Sequence, residues 1–340
     1  MDLIKKILDK SREVDNLFDS MSDLELDSFR IEFQAPPFHP RAKTIKSYPY
    51  ACLTLEILPE TQTYKSSKER IFLIDNTVSK LSFVRSFIEK NGVHPYILGS
   101  SEDRVKTREF LDTFIKDNDL TKREGALVVA IGGGLLLNVA AYISEKMDSP
   151  LIIFPTTALA MADLAGGKVR VNAIVNLKFY KHYYKSYYEP DAIFIDDRFL
   201  DYLPEKQIKI GLAEIIKHGL VQSPKLYDFL SQSGKTLLSD RKKLKKAIFW
   251  ACDLKRACLE IDVEENMNGS RSFLRMGHHF SDRIEEEMKL KIPHGFAVAI
   301  GIIKQLEFEK DEKTLLKAKK LFQELGIPTT LKEYKDLDAN

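Results

Sequence analysis

Three side chains in this sequence have the types to share one divalent cation. His278 stands in Met276-Gly277-His278-His279-Phe280-Ser281-Asp282, and His294 follows sixteen residues later in Pro293-His294-Gly295. Glu214 lies far upstream, in Gly211-Leu212-Ala213-Glu214-Ile215-Ile216-Lys217-His218-Gly219. Two imidazoles and a carboxylate leave one position of a tetrahedral cation open, a common catalytic zinc arrangement. These donors suit zinc, which carries no redox liability. A lone histidine is more often packed or solvated than ligating, so the reading requires all three to meet in space.

Two kinds of element must position them. After Leu203-Pro204 the apolar period is helical throughout, over 205–218, 225–232, 240–261, 271–288, 296–309 and 311–325, with no strand-like run. Before it, short apolar runs alternate with helical stretches. The runs are Arg70–Asp75, His94–Leu98, Ala126–Ile131, Leu151–Phe154 and Ala192–Asp196. The helices between them are Thr77–Lys90, Lys106–Asn118 and Leu135–Lys146. Cys52–Leu58 alternates and reads as a further strand. That alternation predicts a parallel sheet. The expected fold is an α/β N-terminal dinucleotide-binding domain over 41–200 and an all-helical metal-binding domain over 201–340. Residues 1–40 read as a helical extension, closed by the helix-breaking linker Pro36-Pro37-Phe38-His39-Pro40.

Several residues at strand ends invite a ligand. Asp75 closes the first strong strand, where parallel sheets gather ligands. It either binds ribose hydroxyls or caps the next helix. Gly132-Gly133-Gly134 lies between the most apolar strand and a helix, the layout that sets a pyrophosphate on helix N-terminal amides. The alternative is simply a tight turn. Thr156 and Thr157 follow another strand and either donate to a cofactor or cap a helix.

Composition narrows the rest. The chain has 52 basic and 50 acidic residues among 340, for a net charge of +2, which argues against nucleic acid or membrane as a general partner. Cys52, Cys252 and Cys258 lack metal or disulfide spacing and suit a reducing compartment. The N-terminus reads as a charged amphipathic helix, with neither the apolar run nor the cleavage site of a signal peptide. A cytoplasmic enzyme is therefore expected.

Taken in order, Gly132-Gly133-Gly134, Pro155-Thr156-Thr157, Gly166-Gly167-Lys168, Gly211-Leu212-Ala213-Glu214, Gly277-His278 and His294-Gly295 resemble the dehydroquinate synthase family of sugar phosphate cyclases. The resemblance runs over roughly 68–330. It implies NAD, a zinc or cobalt ion, and a phosphorylated keto sugar acid or heptulose phosphate as substrate. The implied lyase reaction oxidises an alcohol transiently, eliminates phosphate, reduces the ketone again and closes a carbocycle. A substrate phosphate oxygen serves as the base in that scheme. By resemblance, Glu214, His278 and His294 hold the metal. Asp75, Gly133, Gly134, Asn138, Thr156, Thr157 and Lys181 contact the cofactor, with Phe199 and Leu203 lining its pocket. Asp163, Lys168, Lys217, Lys255 and Arg271 face the substrate, and a homodimer is implied. Arginine clamps a carboxylate or phosphate with two parallel hydrogen bonds, whereas lysine acts as a mobile point charge. For each lysine the alternative is a solvated helix residue.

The sequence departs from that family mainly on its phosphate side. Asn138 replaces an aspartate, Asp282 a histidine, Arg275 an asparagine, His182 an asparagine, Asp148 an arginine and Phe296 a glutamate. The sequence also ends at Asn340, before a family segment with a phosphate-contacting lysine. Lys178–Tyr188 is about four residues longer than its counterpart. It packs six aromatics and three lysines into eleven residues and reads as a cofactor-covering loop or a subunit contact, ahead of a nucleic-acid stacking surface. Gly277-His278-His279-Phe280-Ser281 resembles the branch that cyclises sedoheptulose 7-phosphate. Two other readings remain: a metal-dependent polyol or glycerol phosphate dehydrogenase, and a non-catalytic NAD-binding descendant.

Overall fold

The computed structural model describes residues 2–35, 46–55, 69–99, 103–123, 125–163, 168–176, 178–262, 265–289 and 291–338. The chain forms two units. The first holds Ser28–Thr156 and Gly166–Asp197, and the second holds Met1–Asp27, Thr157–Ala165 and Arg198–Asn340.

The first unit is built on strands β1 (Arg30–Ala35), β2 (Lys46–Cys52), β3 (Arg70–Asp75), β4 (Tyr96–Leu98), β5 (Leu127–Gly132), β6 (Leu151–Pro155), β7 (Lys168–Val175), β8 (Lys178–Tyr187) and β9 (Ala192–Ile195). Seven make one sheet in the order β1-β2-β9-β6-β5-β3-β4. Every pairing in it is parallel except that of edge strand β1 with β2. All residues of β5, β6 and β9 are buried, as their unbroken apolar runs predict for strands covered on both faces. From β3 the chain moves outward to β4, then returns to place β5 on the other side of β3. The carboxyl ends of β3 and β5 therefore flank the point where strand order reverses, the usual ligand crevice of such sheets.

Four strands, β1, β2, β7 and β8, lie wholly or largely where none was expected. β1 falls inside the expected helical extension, and the expected strand at 52–58 is displaced to Lys46–Cys52. Residues 56–58 and the Pro36–Pro40 linker lie outside the described residues. β7 and β8 form a separate antiparallel ribbon, so the expected loop at 178–188 is largely a strand. Its inward residues are polar, which hides the alternation. Tyr184 and Ser186 both donate to Glu145, at 2.9 and 2.7 Å. A bulge opens between Val171 and Ala173, opposite His182 at φ +53°. Helices α3 (Ser82–Lys90), α4 (Arg108–Asp117) and α5 (Gly134–Met147) complete this unit.

The second unit is helical among its described residues. It begins with α1 (Leu3–Ser20) and α2 (Asp23–Asp27), so the expected extension divides, its helices joining this unit and β1 the sheet. It continues with α6 (Ala158–Asp163), α7 (Glu205–Val221), α8 (Pro224–Ser233), α9 (Arg241–Ile261), α10 (Ser270–Leu274), α11 (His278–Glu287), α12 (His294–Glu309), α13 (Glu312–Glu324) and α14 (Leu331–Asp338). α7 is buried continuously from Ile210 to Gly219, and α12 from Gly295 to Ile303. A helix apolar on every side is a core helix. The expected helix at 271–288 is broken into α10 and α11, because Gly277 adopts φ +78°. Among the described residues no helix is long and apolar enough to cross a membrane.

Candidate metal centre

Three helix positions converge in the second unit. Glu214 and Lys217 sit one turn apart in the buried middle of α7. His278 opens α11 directly after Gly277, whose left-handed backbone no larger residue adopts cheaply. A Cβ on Gly277 would also lie 2.7 Å from the backbone nitrogen of Ile302, so the turn presses against α12. His294 opens α12, with Pro293 as its N-cap.

The ligand atoms face one another. Glu214 Oε1 lies 3.7 Å from His278 Nε2 and 3.5 Å from His294 Nε2. Donors about 2.0–2.2 Å from a tetrahedral zinc are about 3.3–3.6 Å apart, so both separations are close to the edges of such a polyhedron. One ligand atom from each of the three residues falls within 4.8 Å of the other two. Glu214 is 1 % exposed, and its Oε1 is buried with no hydrogen-bond partner. An orphaned buried carboxylate oxygen is costly unless something positive meets it. The three residues fit a divalent cation on that ground.

The surroundings orient each ligand. Lys217 Nζ donates to Glu214 Oε2 and, at 2.9 Å, to the Leu274 carbonyl. One carboxylate oxygen is thus engaged and the other turned to the imidazoles. His278 Nδ1 lies 3.2 Å from the Met276 carbonyl, and His294 Nδ1 lies 2.7 Å from Glu285 Oε1. Such partners on the far ring nitrogen commonly fix the tautomer that leaves Nε2 for a metal. Burial pushes the Glu214 carboxyl up, but the Lys217 ammonium and the two histidines outweigh it and hold the group well below the usual range. Burial drives His278 down to about 4, overriding the pull of Glu214, so it is a neutral imidazole at pH 7. Burial also acts against charge on His294, but the nearby Glu214 carboxylate and the hydrogen bond to Glu285 carry it up to about 10. The two rings differ because only His294 touches two carboxylates. Glu285 is a second-layer residue that the sequence reading missed. Its one signal was an acidic run, Glu285-Glu286-Glu287, on a helix whose first member alone is buried.

The expected substrate residues separate. Lys255 Nζ donates to Asp163 Oδ1 at 2.8 Å and to the Asp163 carbonyl, joining α9 to α6. Burial raises the Asp163 carboxyl, but Lys255 and Lys217 more than offset this and hold it ionised. Lys255 is held above its usual value because Asp163 outweighs its burial. Asp163, Lys217, Lys255 and Glu214 thus form one interacting charge cluster. Arg271 is half-buried on α10, the helix whose Leu274 carbonyl receives Lys217. Lys168 is exposed at the start of β7 in the sheet unit, and Gly166 and Gly167 before it lie outside the described residues. Two departures from the family prove to be partners: Arg275 Nη2 meets Asp282 Oδ2 at 2.9 Å, one turn to either side of His278. Phe296 is a fully buried core residue, its ring 6.1 Å from that of Tyr334.

Of the expected dinucleotide residues, the sheet unit carries Asp75 and the Gly132–Gly134 turn at its switch point. Asp75 ends β3 with Oδ1 accepting from the Thr77 and Val78 amides at 2.8 and 3.1 Å. Its Oδ2 is buried and unpartnered, leaving an acceptor for a hydroxyl. Capping and ligand binding are therefore compatible. Gly132 ends β5; a Cβ there would lie 3.3 Å from Asp75 Cβ and 2.5 Å from Leu136 Cδ2, so the backbone needs glycine to pass. Gly133 caps α5 and Gly134 is its exposed first residue. Both fit a pyrophosphate at a helix N-terminus. Asn138 instead holds protein: Oδ1 accepts from the Arg170 amide at 2.8 Å and Nδ2 donates to the Gly134 carbonyl at 2.9 Å. Thr156 is buried at the end of the sheet unit. Lys181 and His182 lie on β8, and Asp148 caps the C-terminus of α5 at φ +52°. In the helical unit, Thr157 accepts from the Ala160 amide at 3.2 Å, capping α6. Phe199 is 1 % exposed in a short 3-10 turn, and Leu203 lines a cavity of about 190 Å³ with Leu200, Ile208, Leu237 and Leu244.

Comparison with known proteins bears on the whole arrangement. Family models described as 3-dehydroquinate synthase N-terminal and C-terminal match residues 98–210 and 211–339. The chain belongs to the 3-dehydroquinate synthase family. By family it is a dehydroquinate synthase-like sugar phosphate cyclase, a carbon–oxygen lyase. It is 28 % identical over 285 residues to the 3-dehydroquinate synthase of Clostridium tetani, spanning 81 % of this chain and 71 % of that one. Against the enzyme of Nitrosospira multiformis it is 30 % identical over 278 residues, spanning 77 % and 74 %. Some other matched synthases are spanned over only half to three fifths of their length. In fold it is similar to 2-epi-5-epi-valiolone synthase from Streptomyces hygroscopicus, solved with NAD+ and Zn2+, at TM-score 0.72 and 23 % identity over 87 % of this chain and 85 % of that one. A 2-deoxy-scyllo-inosose synthase solved with carbaglucose-6-phosphate, NAD+ and Co2+ aligns at TM-score 0.70 and 22 % identity, over 91 % and 86 %.

Proposed function

We propose that this protein is a metal- and NAD-dependent cyclase that converts an anionic phosphorylated keto sugar into a carbocycle with loss of phosphate. The observation that carries the reading is the orphaned Glu214 Oε1 facing the Nε2 atoms of His278 and His294. Glu214, His278 and His294 would hold a zinc or cobalt ion. Asp75 and the Gly132–Gly134 turn would hold NAD. When bound, the cation acidifies substrate hydroxyls as a Lewis acid and NAD takes up and returns a hydride.

The chain's own groups do the rest. Lys217 fixes the coordinating oxygen of Glu214 by occupying its neighbour. Lys255 and Asp163 keep each other charged, so the pair presents an ammonium and a carboxylate to hydroxyl and anionic substrate groups. Arg271 supplies the planar fork for a carboxylate or phosphate. Arg275 neutralises Asp282, which removes the repulsion that a bare carboxylate near His278 would exert on a phosphate dianion. That exchange distinguishes this site from the family pattern and supports a substrate whose phosphate is held differently.

The test is to incubate metal-loaded protein and NAD with deoxy-arabino-heptulosonate phosphate and with sedoheptulose 7-phosphate. Phosphate release without net NADH is expected with one of them. Stoichiometric NADH without phosphate would make the protein a polyol dehydrogenase. Neither signal would leave only a non-catalytic descendant. Light scattering would test the homodimer that the family implies.

A further inference from the structure

The helix α1 lies wholly outside the family-matched residues 98–339, yet it is tied to the metal-bearing helix from inside the core. Ser11 and Asp15 of α1 are 1 % and 4 % exposed. Gln222, at the C-terminus of α7, donates from Nε2 to Ser11 Oγ at 2.8 Å and to the Leu254 carbonyl of α9 at 2.9 Å. A carbonyl only accepts, so the Gln222 amide is fixed in direction and its Oε1 must face His218 Nδ1, 2.9 Å away. His218 therefore carries its hydrogen on Nδ1. Asp15 receives Trp250 Nε1 at 2.9 Å and also the hydroxyl of Ser223, the N-cap of α8. The joint between α7 and α8 is thus held by two α1 side chains.

A second link is apolar. Ile7 is fully buried with Phe273 and Leu274 of α10, and Ile4 and Leu8 pack against the same cluster. Leu274 is also the residue whose carbonyl receives Lys217 Nζ. α1 hence backs both elements that fix Lys217: the helix it grows from and the carbonyl it donates to. Lys217 in turn sets which oxygen of Glu214 faces the histidines.

We propose that α1 is a positioning element of the metal centre, acting through Gln222–His218 on α7 and through Phe273–Leu274 on α10. The inference rests on the metal reading of Glu214, His278 and His294, and it concerns residues outside the 98–339 that the family models match. None of these α1 residues is a ligand in that reading; they act by holding the elements that orient Lys217 and Glu214.

The test compares Ser11→Ala, Ser11→Thr and Ile7→Ala with the wild type, and uses Leu17→Ala, on the exposed side of α1, as a control. Cobalt(II) is titrated at a temperature well below the melting point of every variant, following its visible ligand-field bands. Loss of an outer-layer partner of a metal ligand typically costs about 10–100-fold in affinity, and Ser11 is more remote, so about fivefold weaker binding with altered bands is expected for Ser11→Ala. Ser11→Thr keeps the hydroxyl and should restore binding, and Ile7→Ala should match or exceed Ser11→Ala. Amide hydrogen exchange over 214–221 in metal-free protein should quicken in the same variants. Unchanged cobalt affinity and bands in both Ser11→Ala and Ile7→Ala, with only a lower melting point, would overturn the proposal. Should the wild type bind no cobalt, the metal reading fails by itself and hydrogen exchange decides: faster exchange in Ser11→Ala, reversed in Ser11→Thr, upholds the brace, and no change ends it.

Discussion

Glu285 offers the sharpest test of the metal centre, because it meets the far ring nitrogen of His294 directly. Its carboxylate is 4 % exposed and meets His294 Nδ1 at 2.7 Å. Glu285→Gln keeps the shape and an accepting oxygen but removes the charge; Glu285→Leu removes both. A hydrogen bond to a charged group contributes about 1.5–3 kcal/mol. Outer-layer partners of metal-binding histidines typically control about 10–100-fold of affinity, or about 1.4–2.8 kcal/mol at 1.4 kcal/mol per decade. The two ranges agree. Glu285→Gln should therefore weaken zinc about tenfold and Glu285→Leu closer to a hundredfold. Competition with a chromophoric chelator at fixed pH reads both. Affinity within twofold of wild type in the two variants would refute the carboxylate–histidine–metal arrangement.

Three further outcomes follow from the geometry. Gly277→Ala forces φ +78° on a residue with a Cβ and drives that Cβ to 2.7 Å from the Ile302 nitrogen, so unfolding in urea should show a loss of at least about 1–3 kcal/mol together with loss of metal. Arg275 and Asp282 are both exposed, 38 % and 57 %, so Arg275→Ala should change stability by less than about 1 kcal/mol while raising KM for a phosphorylated substrate; an unchanged KM would remove the pair from the substrate's path. His218 is 2 % exposed, and burial, helped by Lys217, lowers it from 6.5 to about 4. Its folded value is below its unfolded one, so the unfolded chain takes up the proton first as pH falls. The stability of its neutral form is fully present above pH 6.5 and drains away towards pH 4, by on the order of 3 kcal/mol in all. Urea melts across that range should lose this slope in His218→Asn.

The parts of the fold that depend on burial alone were readable from the residues. β5, β6 and β9 are apolar without interruption because they are buried along their whole length, and α7 and α12 are buried through their middles because they are central. Glu214, His278 and His294 were readable through their types, and their orientation became visible only once Lys217, Met276 and Glu285 were in place. What the residues did not reveal is partnership. The amphipathic pattern of α1 announces a packed helix but not that its partners are α9 and α10. β8 alternates faithfully, yet its inward face bonds to Glu145, so a period-two polar pattern passed for a loop. Arg275 and Asp282 each looked like a lost family contact, and across the His278 turn they are one ion pair.

The unequal use of the two oxygens of Glu214 has a consequence for which cation the site accepts. With Oε2 given to Lys217, the carboxylate is confined to a single donor atom. The protein then offers one oxygen and two imidazole nitrogens. Calcium, which asks for six to eight oxygens and often a bidentate carboxylate, and magnesium, which asks for an octahedron of oxygens, would be left to water for most of their shell. Zinc and cobalt accept borderline nitrogen donors and low coordination numbers. Denticity, enforced by one lysine, is thus a selectivity filter: Lys217→Met should free the second oxygen and narrow the gap between zinc and calcium affinities.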